Sequence, residues 1–396
     1  MAHDHSCSHD LLGRRDFLGL GASAIAGGAL VGGSASAPAL AAAGANSTPG
    51  AELILLGTSA GPPPAPGRAG IATALVLDGK VYVVDCGRAS VHQYANAGLE
   101  FEDAAAVFVT HLHADHICDL YNFFMLGAGW PAAEKSLRHP IPVYGPGSAG
   151  LPFPPAFPPG RAVGTVAPHD PAPGLADLMR ACTDAYAYSI NIFMRDSGVM
   201  DISTLMDVHE IPLPPAAAPL GPTAPPMAPV TIAHFADVTV TGLLVPHGAC
   251  FPAYAYRFDT PHGSVVFSGD TTPTPNLIAL AHGADVLIHE AIALETYASR
   301  GMPAALLSHL ANSHTDVADI GRIARQAQVK SVILSHLAPG DQRYVSTAQW
   351  QELANRSARL GGYDGPITVG TDLARFDLRG NRLAEVDGED RRKNLA

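Results

Sequence analysis

Short apolar runs recur along this 396-residue chain, and six of them end at a histidine or an aspartate. Runs of about four to eight apolar residues bounded by polar or turn-forming residues are typical of buried β-strands. One polar residue after a strand is most often a turn cap, but a repeated pattern predicts that several strand ends supply one site. The runs and the residues that end them are 80–84 with Asp85, 104–110 with His111, 238–246 with His247, 264–269 with Asp270, 285–288 with His289 and Glu290, and 331–335 with His336.

The densest group of polar side chains follows the second of these runs. His111, His113, Asp115 and His116 lie within six residues. They cannot all point inward from one helix face, so we expect them to converge from a loop. Neutral imidazole and carboxylate are suitable ligands for Zn²⁺, Fe or Mn. The spacing offers two pairs of ligands and predicts the beginning of two metal sites.

The segment from about 150 to 230 interrupts the pattern of strands. Prolines cluster in 152–173 and again in 212–229, and both stretches predict extended surface loops. Between them, 175–195 has apolar residues at helical spacing and predicts a helix. This helical insert is either a lid that shapes a substrate cleft or a helix that packs on the scaffold.

Eight short motifs resemble, in their order, those of the metallo-β-lactamase superfamily and of its branch that contains ribonuclease Z and similar phosphodiesterases. They are 55–63, Val84-Asp85-Cys86-Gly87, 111–116, Pro246-His247 with 253–257, Ser268-Gly269-Asp270-Thr271, His289-Glu290-Ala291, Ser313-His314-Thr315 and Ser335-His336. The resemblance extends from about Leu53 to Asp377. It implies an α/β fold, the four-layer αββα sandwich of this superfamily.

The resemblance also implies a centre with two divalent metal ions, provisionally Zn²⁺, with Mn or Fe as alternatives. On this resemblance His111, His113 and His247 bind one ion, Asp115, His116 and His336 bind the other, and Asp270 bridges the two. Two ions roughly 3.5–4 Å apart can activate a shared water and neutralise an anionic oxygen of the substrate. Asp115 is also expected to orient or deprotonate that water.

Further roles concern proton transfer and ring orientation. His289, held by Glu290, and His314 are expected to donate protons to a phosphoryl oxygen or to a leaving group. Asp85 resembles a residue that accepts a hydrogen bond from a ligand imidazole or from loop amides and thereby fixes the ring. The alternative for Asp85 is a simple turn cap at the strand end.

The first 43 residues resemble a twin-arginine export signal. Arg14-Arg15 leads into an apolar Gly/Ala-rich run over 20–33, which is short and weakly apolar for a bilayer span of about 20 residues. Small-residue cleavage options follow at 35–37 and 39–41. We expect a signal peptide over 1–43, a hydrolase domain over 44–396, and a periplasmic or extracellular location. A retained membrane anchor is the alternative.

Four cysteines remain after the expected processing: Cys86, Cys118, Cys182 and Cys250. Three of them lie next to the metal motifs, so packing beside the site is as reasonable an interpretation as disulfide formation. An even number of cysteines does not fix any pairing, even in an exported protein.

Charge argues against a polyanionic substrate. The chain has 24 Lys and Arg against 36 Asp and Glu, a formal net charge of −12. Nucleic acids are bound through Lys and Arg that neutralise phosphates. Proline-rich loops and the predicted helix occupy the region between the second and third motifs, where the resemblance places a tRNA-gripping arm. Nucleic acid is therefore not expected as a partner.

Together these features predict an exported dinuclear metal-dependent hydrolase of small anionic esters. Phosphodiesters are favoured and aryl sulfates are the alternative, because both place oxyanions between two ions. A lactonase or β-lactamase is less favoured, since the His289-Glu290 and Ser313-His314-Thr315 motifs differ from those of true β-lactamases. A metal-binding module without turnover is the alternative from another class. The resemblance implies a homodimer, and no membrane span is expected after processing.

Overall fold

The computed structural model describes residues 50–150, 163–378 and 384–385. The proposed signal over 1–43 and part of the first proline-rich stretch lie outside these residues. The strands are β1 Ala51–Gly57, β2 Ala72–Leu77, β3 Lys80–Val84, β4 Ala104–Phe108, β5 Ile141–Pro146, β6 Met206–Ile211, β7 Val230–Phe235, β8 Val238–Leu244, β9 Tyr254–Thr260, β10 Gly263–Phe267, β11 Val286–Ile292, β12 Ser331–Ala338, β13 Ile367–Val369, β14 Arg375–Asp377 and β15 Ala384–Glu385. The helices are α1 Ser90–Asn96, α2 Ala114–Ile117, α3 Leu120–Gly127, α4 Leu175–Ser197, α5 Pro275–Ala281, α6 Leu294–Ser299, α7 Ala304–Ser313, α8 Val317–Ala327 and α9 Thr347–Gly361.

The strands form two mixed sheets. One has the order β15-β14-β1-β2-β3-β4-β5-β6 and the other the order β13-β12-β11-β10-β9-β8-β7. Strands β3 to β6 are parallel in the first sheet, and β10 to β13 are parallel in the second. The carboxyl ends of parallel neighbours lie at the same sheet edge. This arrangement places the residues after β3 and β4 together, and likewise those at the ends of β10, β11 and β12.

Three buried apolar clusters separate four layers. The central cluster joins the facing sides of the two sheets and contains Phe108 and Tyr256. A second cluster packs α1, α3 and α4 on the outer face of the first sheet. A third packs α5, α8 and α9 on the outer face of the second sheet, around the fully buried Trp350. The αββα sandwich expected from the sequence is therefore confirmed.

Two strands run further than the sequence pattern predicted. The predicted strand 285–288 continues to Ile292, and 331–335 continues to Ala338. The register between them shifts after His289, so that two residues of β12 lie opposite Glu290. Such a bulge leaves one residue without a ladder partner and redirects its side chain. Its cause is a pairing between distant segments, so the local pattern of apolar residues does not reveal it.

The predicted helical insert is present as α4. It ends at Gly198, whose positive φ of 64° suits a residue without a Cβ. Leu175, Met179 and Ile190 are its buried residues and belong to the cluster over the first sheet. These are scaffold contacts, and the lid role remains a hypothesis. The stretch 212–229 is irregular, as predicted. Among the described residues, no helix combines the length and the apolar character that crossing a bilayer requires.

Candidate metal centre

The segment after β4 presents its ligand-type side chains from an extended stretch and one helical turn. His111 follows the strand, His113 is the extended residue that precedes α2, and Asp115 and His116 lie on that short helix. His111, Asp115 and His116 are buried, whereas His113 is exposed. The sequence pattern predicted a loop. The helical turn rotates Asp115 and His116 toward the residues that come from the second sheet.

Asp270 lies at the centre of the group. Its Oδ2 atom is 3.8 Å from His111 Nε2, 3.4 Å from His116 Nε2, 3.7 Å from His247 Nε2, 3.3 Å from His336 Nε2 and 3.8 Å from His314 Nδ1. Two atoms that share a tetrahedral Zn²⁺ at about 2.0–2.2 Å are roughly 3.3–3.6 Å apart. The spacing around Asp270 is therefore close to that of ligands arranged around common ions.

Two separate sets of side chains surround this carboxylate. In the first, His113 Nδ1 lies 3.0 Å from His247 Nε2, and the ligand atoms of His111, His113, His247 and Cys250 are all within 4.8 Å of one another. In the second, the ligand atoms of Asp115, His116 and His336 are equally close, with His336 Nε2 3.3 Å from Asp115 Oδ2. The structure thus brings together all seven residues that the sequence singled out as metal ligands.

Other residues fix the orientation of the rings. Asp85 Oδ2 is 2.8 Å from His116 Nδ1, and the same carboxylate accepts hydrogen bonds from the amide and hydroxyl of Thr110. His247 Nδ1 donates to the carbonyl of Ser313 at 2.6 Å. Each contact engages one ring nitrogen and leaves Nε2 for an ion. Asp85 therefore orients a ring, in addition to ending its strand with a φ of 60°.

Buried polar atoms test whether these residues suit metal ions. Among the described residues, His111 Nε2, His116 Nε2 and Asp270 Oδ1 are buried without a hydrogen-bond partner. Such atoms are costly unless a ligand or ion engages them. Burial lowers the pKa of His111 and lowers that of His247 to about 3, so both rings are neutral, which is the form that binds metal. The donor set fits divalent cations.

Glu290 and His314 form an adjoining pair. Glu290 Oε2 lies 3.0 Å from His314 Nδ1, and Oε1 accepts hydrogen bonds from the amides of Thr271 and Thr315. Burial disfavours the charged form of His314, but Glu290 more than compensates and raises its pKa to about 9. His314 is therefore protonated at neutral pH. Its side chain is 13% exposed, which leaves it reachable from outside.

His289 does not join this pair. It is fully buried within β11, and its Nδ1 donates to the backbone carbonyl of Glu290 at 2.6 Å. Alternation along the strand places it on the same face as Leu287 and Ala291, which belong to the cluster under the outer helices. The Glu290 carboxylate holds His314, and not His289 as the sequence interpretation supposed. The geometry therefore gives His289 no position from which to donate a proton at the site.

Three contributions to the site were missed at the level of the sequence. Thr110 supports Asp85, and the Gly61 amide donates to Asp115 Oδ2 at 2.9 Å. Both residues lie in segments that had been singled out, but only long-range contacts reveal what they do. Cys250 lies within the first ligand set, although it had been interpreted only as a packing or disulfide residue. All four cysteines of the described residues are free thiols.

Comparisons with known proteins agree with this fold. A family model described as beta-lactamase superfamily domain matches residues 200–337, and one described as anti-Pycsar protein Apyc1 matches 67–129. Ribonuclease Z of Mycobacterium bovis is 27% identical over 84% of this chain and 99% of its own length. Ribonuclease Z of Mycolicibacterium paratuberculosis is 27% identical over 83% and 98%.

Solved structures show the same architecture. The short form of human tRNase Z superimposes with a TM-score of 0.54 at 18% identity, covering 83% of this chain and 99% of that one. Zn²⁺-bound PqqB from Methylobacterium extorquens gives 0.50 at 12% identity, covering 82% and 99%. The chain is thus similar to the metallo-β-lactamase superfamily in fold and over the matched residues, and its sequence relatives include ribonuclease Z.

Proposed function

We propose that this protein is an exported, metal-dependent hydrolase of small anionic esters, with phosphodiesters as the favoured class. The observation that carries the proposal is the placement of His314, held by Glu290, beside Asp270, which lies close to histidines of both ligand sets. Two divalent ions bound by these sets would activate a water and neutralise the anionic oxygens of the ester. Zn²⁺ is the proposed ion, and Mn or Fe are accepted by the same ligand types.

Two residues of the chain are proposed to act beside the ions, Asp115 on the water and His314 on the leaving group. Asp115 is held by the Gly61 amide, and although burial opposes its ionisation, His336 and His116 lower its pKa, so the carboxylate remains charged and can orient a water. Glu290 engages Nδ1 of His314, which leaves Nε2 to donate a proton to the leaving oxygen. A proton donor of this kind typically contributes about 10²- to 10⁴-fold to the rate.

Charge supports a small substrate. The net charge of −12 disfavours the approach of a long polyanion, whereas a small ester needs only the local positive charge of bound ions and of His314. Aryl sulfates offer oxyanions of similar geometry and are the alternative ester class. A lactone or lactam substrate, or metal binding without turnover, is less favoured because a proton donor stands beside the ligand sets.

RNA is a second candidate substrate, and one observation favours it. The relatives that align over most of this chain are named ribonuclease Z, which weighs against the sequence-based expectation that nucleic acid is not a partner. The favoured proposal remains a small ester, because the described segment between β5 and β8 holds α4 and proline-rich loops.

The experiment compares three substrates on the metal-loaded protein: bis(p-nitrophenyl) phosphate, p-nitrophenyl sulfate and a precursor tRNA. Metal content is measured in parallel, and Asp270→Ala is the control. Diesterase activity that disappears in the control supports the proposal. Dominant sulfatase activity would select the alternative ester, and efficient cleavage of the tRNA alone would replace the small-ester proposal. Two bound ions without any turnover would indicate that the protein is a metal-binding module and not a hydrolase of these substrates.

Export is tested separately. We propose that residues 1–43 direct twin-arginine export to the periplasm or beyond, because Arg14-Arg15 precedes a short apolar run and small-residue cleavage options. A fusion of these residues to a reporter that is active only outside the cytoplasm should be exported. Replacing both arginines by lysine should abolish export. Export that persists in the double variant would contradict the twin-arginine route.

A further inference from the structure

A thiol stands beside the three histidines of the first ligand set. Cys250 lies three residues after His247 in a tight turn, in which its amide donates to the carbonyl of His247 at 3.0 Å. The turn passes through Gly248, whose φ is 55° and whose missing Cβ leaves room for the Ser313 hydroxyl. It therefore folds Cys250 back toward the ring of His247.

The position of the sulfur is suitable for an ion. The Sγ atom of Cys250 and the ligand nitrogens of His111, His113 and His247 are all within 4.8 Å of one another. Four atoms bound tetrahedrally to Zn²⁺ at about 2.0–2.3 Å are roughly 3.3–3.8 Å apart. The arrangement needs only a small inward adjustment of side chains to close around one cation.

A second, independent observation points to a ligand at this place. His111 is 0% exposed, and its Nε2 is among the buried atoms of the described residues that have no hydrogen-bond partner. Its other nitrogen is 3.1 Å from the Thr110 hydroxyl, which directs the unengaged nitrogen into the same group. The cysteine is therefore part of a built donor set with a buried histidine at its base.

We propose that the Cys250 thiolate is a further protein ligand, beside Asp270, of the ion held by His111, His113 and His247. On binding, the sulfur–metal bond replaces the S–H bond, and the proton passes to solvent. This inference rests on the metal centre of the proposed function. It adds a sulfur ligand to one of the two metal positions and thereby changes which ion that position prefers. A soft sulfur donor favours Zn²⁺ or Co²⁺ there over Mn²⁺, which prefers oxygen ligands.

The test measures which atoms bind the metal ion. X-ray absorption at the zinc edge of the full-length metal-loaded protein should show sulfur at about 2.3 Å, on average about half a sulfur atom per zinc with two ions bound, beside nitrogen and oxygen at about 2.0–2.2 Å. The Co²⁺-loaded protein should show a near-ultraviolet sulfur-to-cobalt charge-transfer band, corresponding to one thiolate per chain. Cys250→Ser should lose both signals. Cys118→Ser, which changes an exposed cysteine, should keep them.

The outcomes separate this inference from the proposed function. A wild-type protein that hydrolyses esters with only nitrogen and oxygen around zinc overturns the inference and keeps the function. A sulfur signal without turnover keeps the inference and overturns the function. A charge-transfer band that survives in Cys250→Ser, or a protein that binds no metal, also overturns the inference. If Cys250→Ser does not fold, the wild-type zinc spectrum alone decides.

Discussion

Asp85 influences the centre through a ring that it orients. Its carboxylate contacts His116 Nδ1 and both donors of Thr110. We expect Asp85→Asn to weaken metal binding by about 10- to 100-fold, because a neutral amide is a poorer acceptor for a ligand imidazole. Asparagine tolerates the φ of 60° at this position, so the backbone should be retained. Competition against a chromophoric chelator measures the change, with the exposed Asp364→Asn as control. Unchanged metal affinity would mean that Asp85 only caps the turn at the end of its strand.

Substitutions of His314 and His289 are expected to have different effects on turnover, although the sequence singled out both residues as proton donors. We expect His314→Gln to lower turnover of phosphodiesters by about 10²- to 10⁴-fold, most strongly for poor leaving groups that need protonation. His289→Gln should stay within a few-fold of wild type, because His289 is buried on the other face of β11. A leaving-group series at confirmed metal content measures both. A loss in His289→Gln as large as that in His314→Gln would refute this assignment.

At the scale of elements, Asp285 ties together the starts of three strands. Its carboxylate accepts from the amide of Ser264 in β10 at 2.7 Å and from Lys330 Nζ, just before β12, at 2.5 Å. Burial opposes ionisation of Asp285, but Lys330 and Ser264 outweigh it and lower its pKa. The stabilisation is therefore complete above the unfolded pKa of about 3.9 and is lost as the pH falls through the lower folded pKa.

Asp285→Asn should consequently destabilise the protein by about 1 kcal/mol at pH 7. The difference from wild type should shrink below about pH 4, where the carboxyl group is protonated in the unfolded chain. Denaturant unfolding at several pH values measures this, with Asp364→Asn for comparison. A difference that does not change with pH would mean that the charge of Asp285 is not what stabilises the strands.

The elements also show how far a sequence can be interpreted. The six strands that lead to ligand-type residues and α4 were predictable because short apolar runs and helical spacing of apolar residues are local features. The alternation of β11 could also have placed His289 and Glu290 on opposite faces. The bulge at His336, with its φ of 49°, could not have been predicted, because it depends on the register of β12 against β11. The turn that carries Cys250 toward His111 likewise depends on contacts across 139 positions of the chain.

At the scale of the whole molecule, the candidate metal centre joins the two sheets. Its proposed ligands come from the segment after β4 and from α2 on one side, and from β12 and the segments after β8 and β10 on the other. A ligand that binds only the folded chain stabilises it by about 4 kcal/mol at a thousandfold excess over Kd. We therefore expect chelation to lower Tm by several degrees and Zn²⁺ to restore it. Asp270→Ala should show little response to the metal. An equal response in this variant would place the stabilising ion elsewhere.

The net charge of −12 makes a prediction that separates the two candidate substrates. Binding of RNA by Lys and Arg releases counterions and weakens steeply as salt rises, whereas turnover of a small diester held by a few contacts changes little. We expect a precursor tRNA to bind weakly at physiological salt, while hydrolysis of bis(p-nitrophenyl) phosphate stays nearly constant between low and physiological salt. Filter binding and initial rates across a salt series measure the two responses. Tight, steeply salt-dependent binding of the tRNA with cleavage would mean that a local basic surface overcomes the net charge, and RNA would then be the substrate.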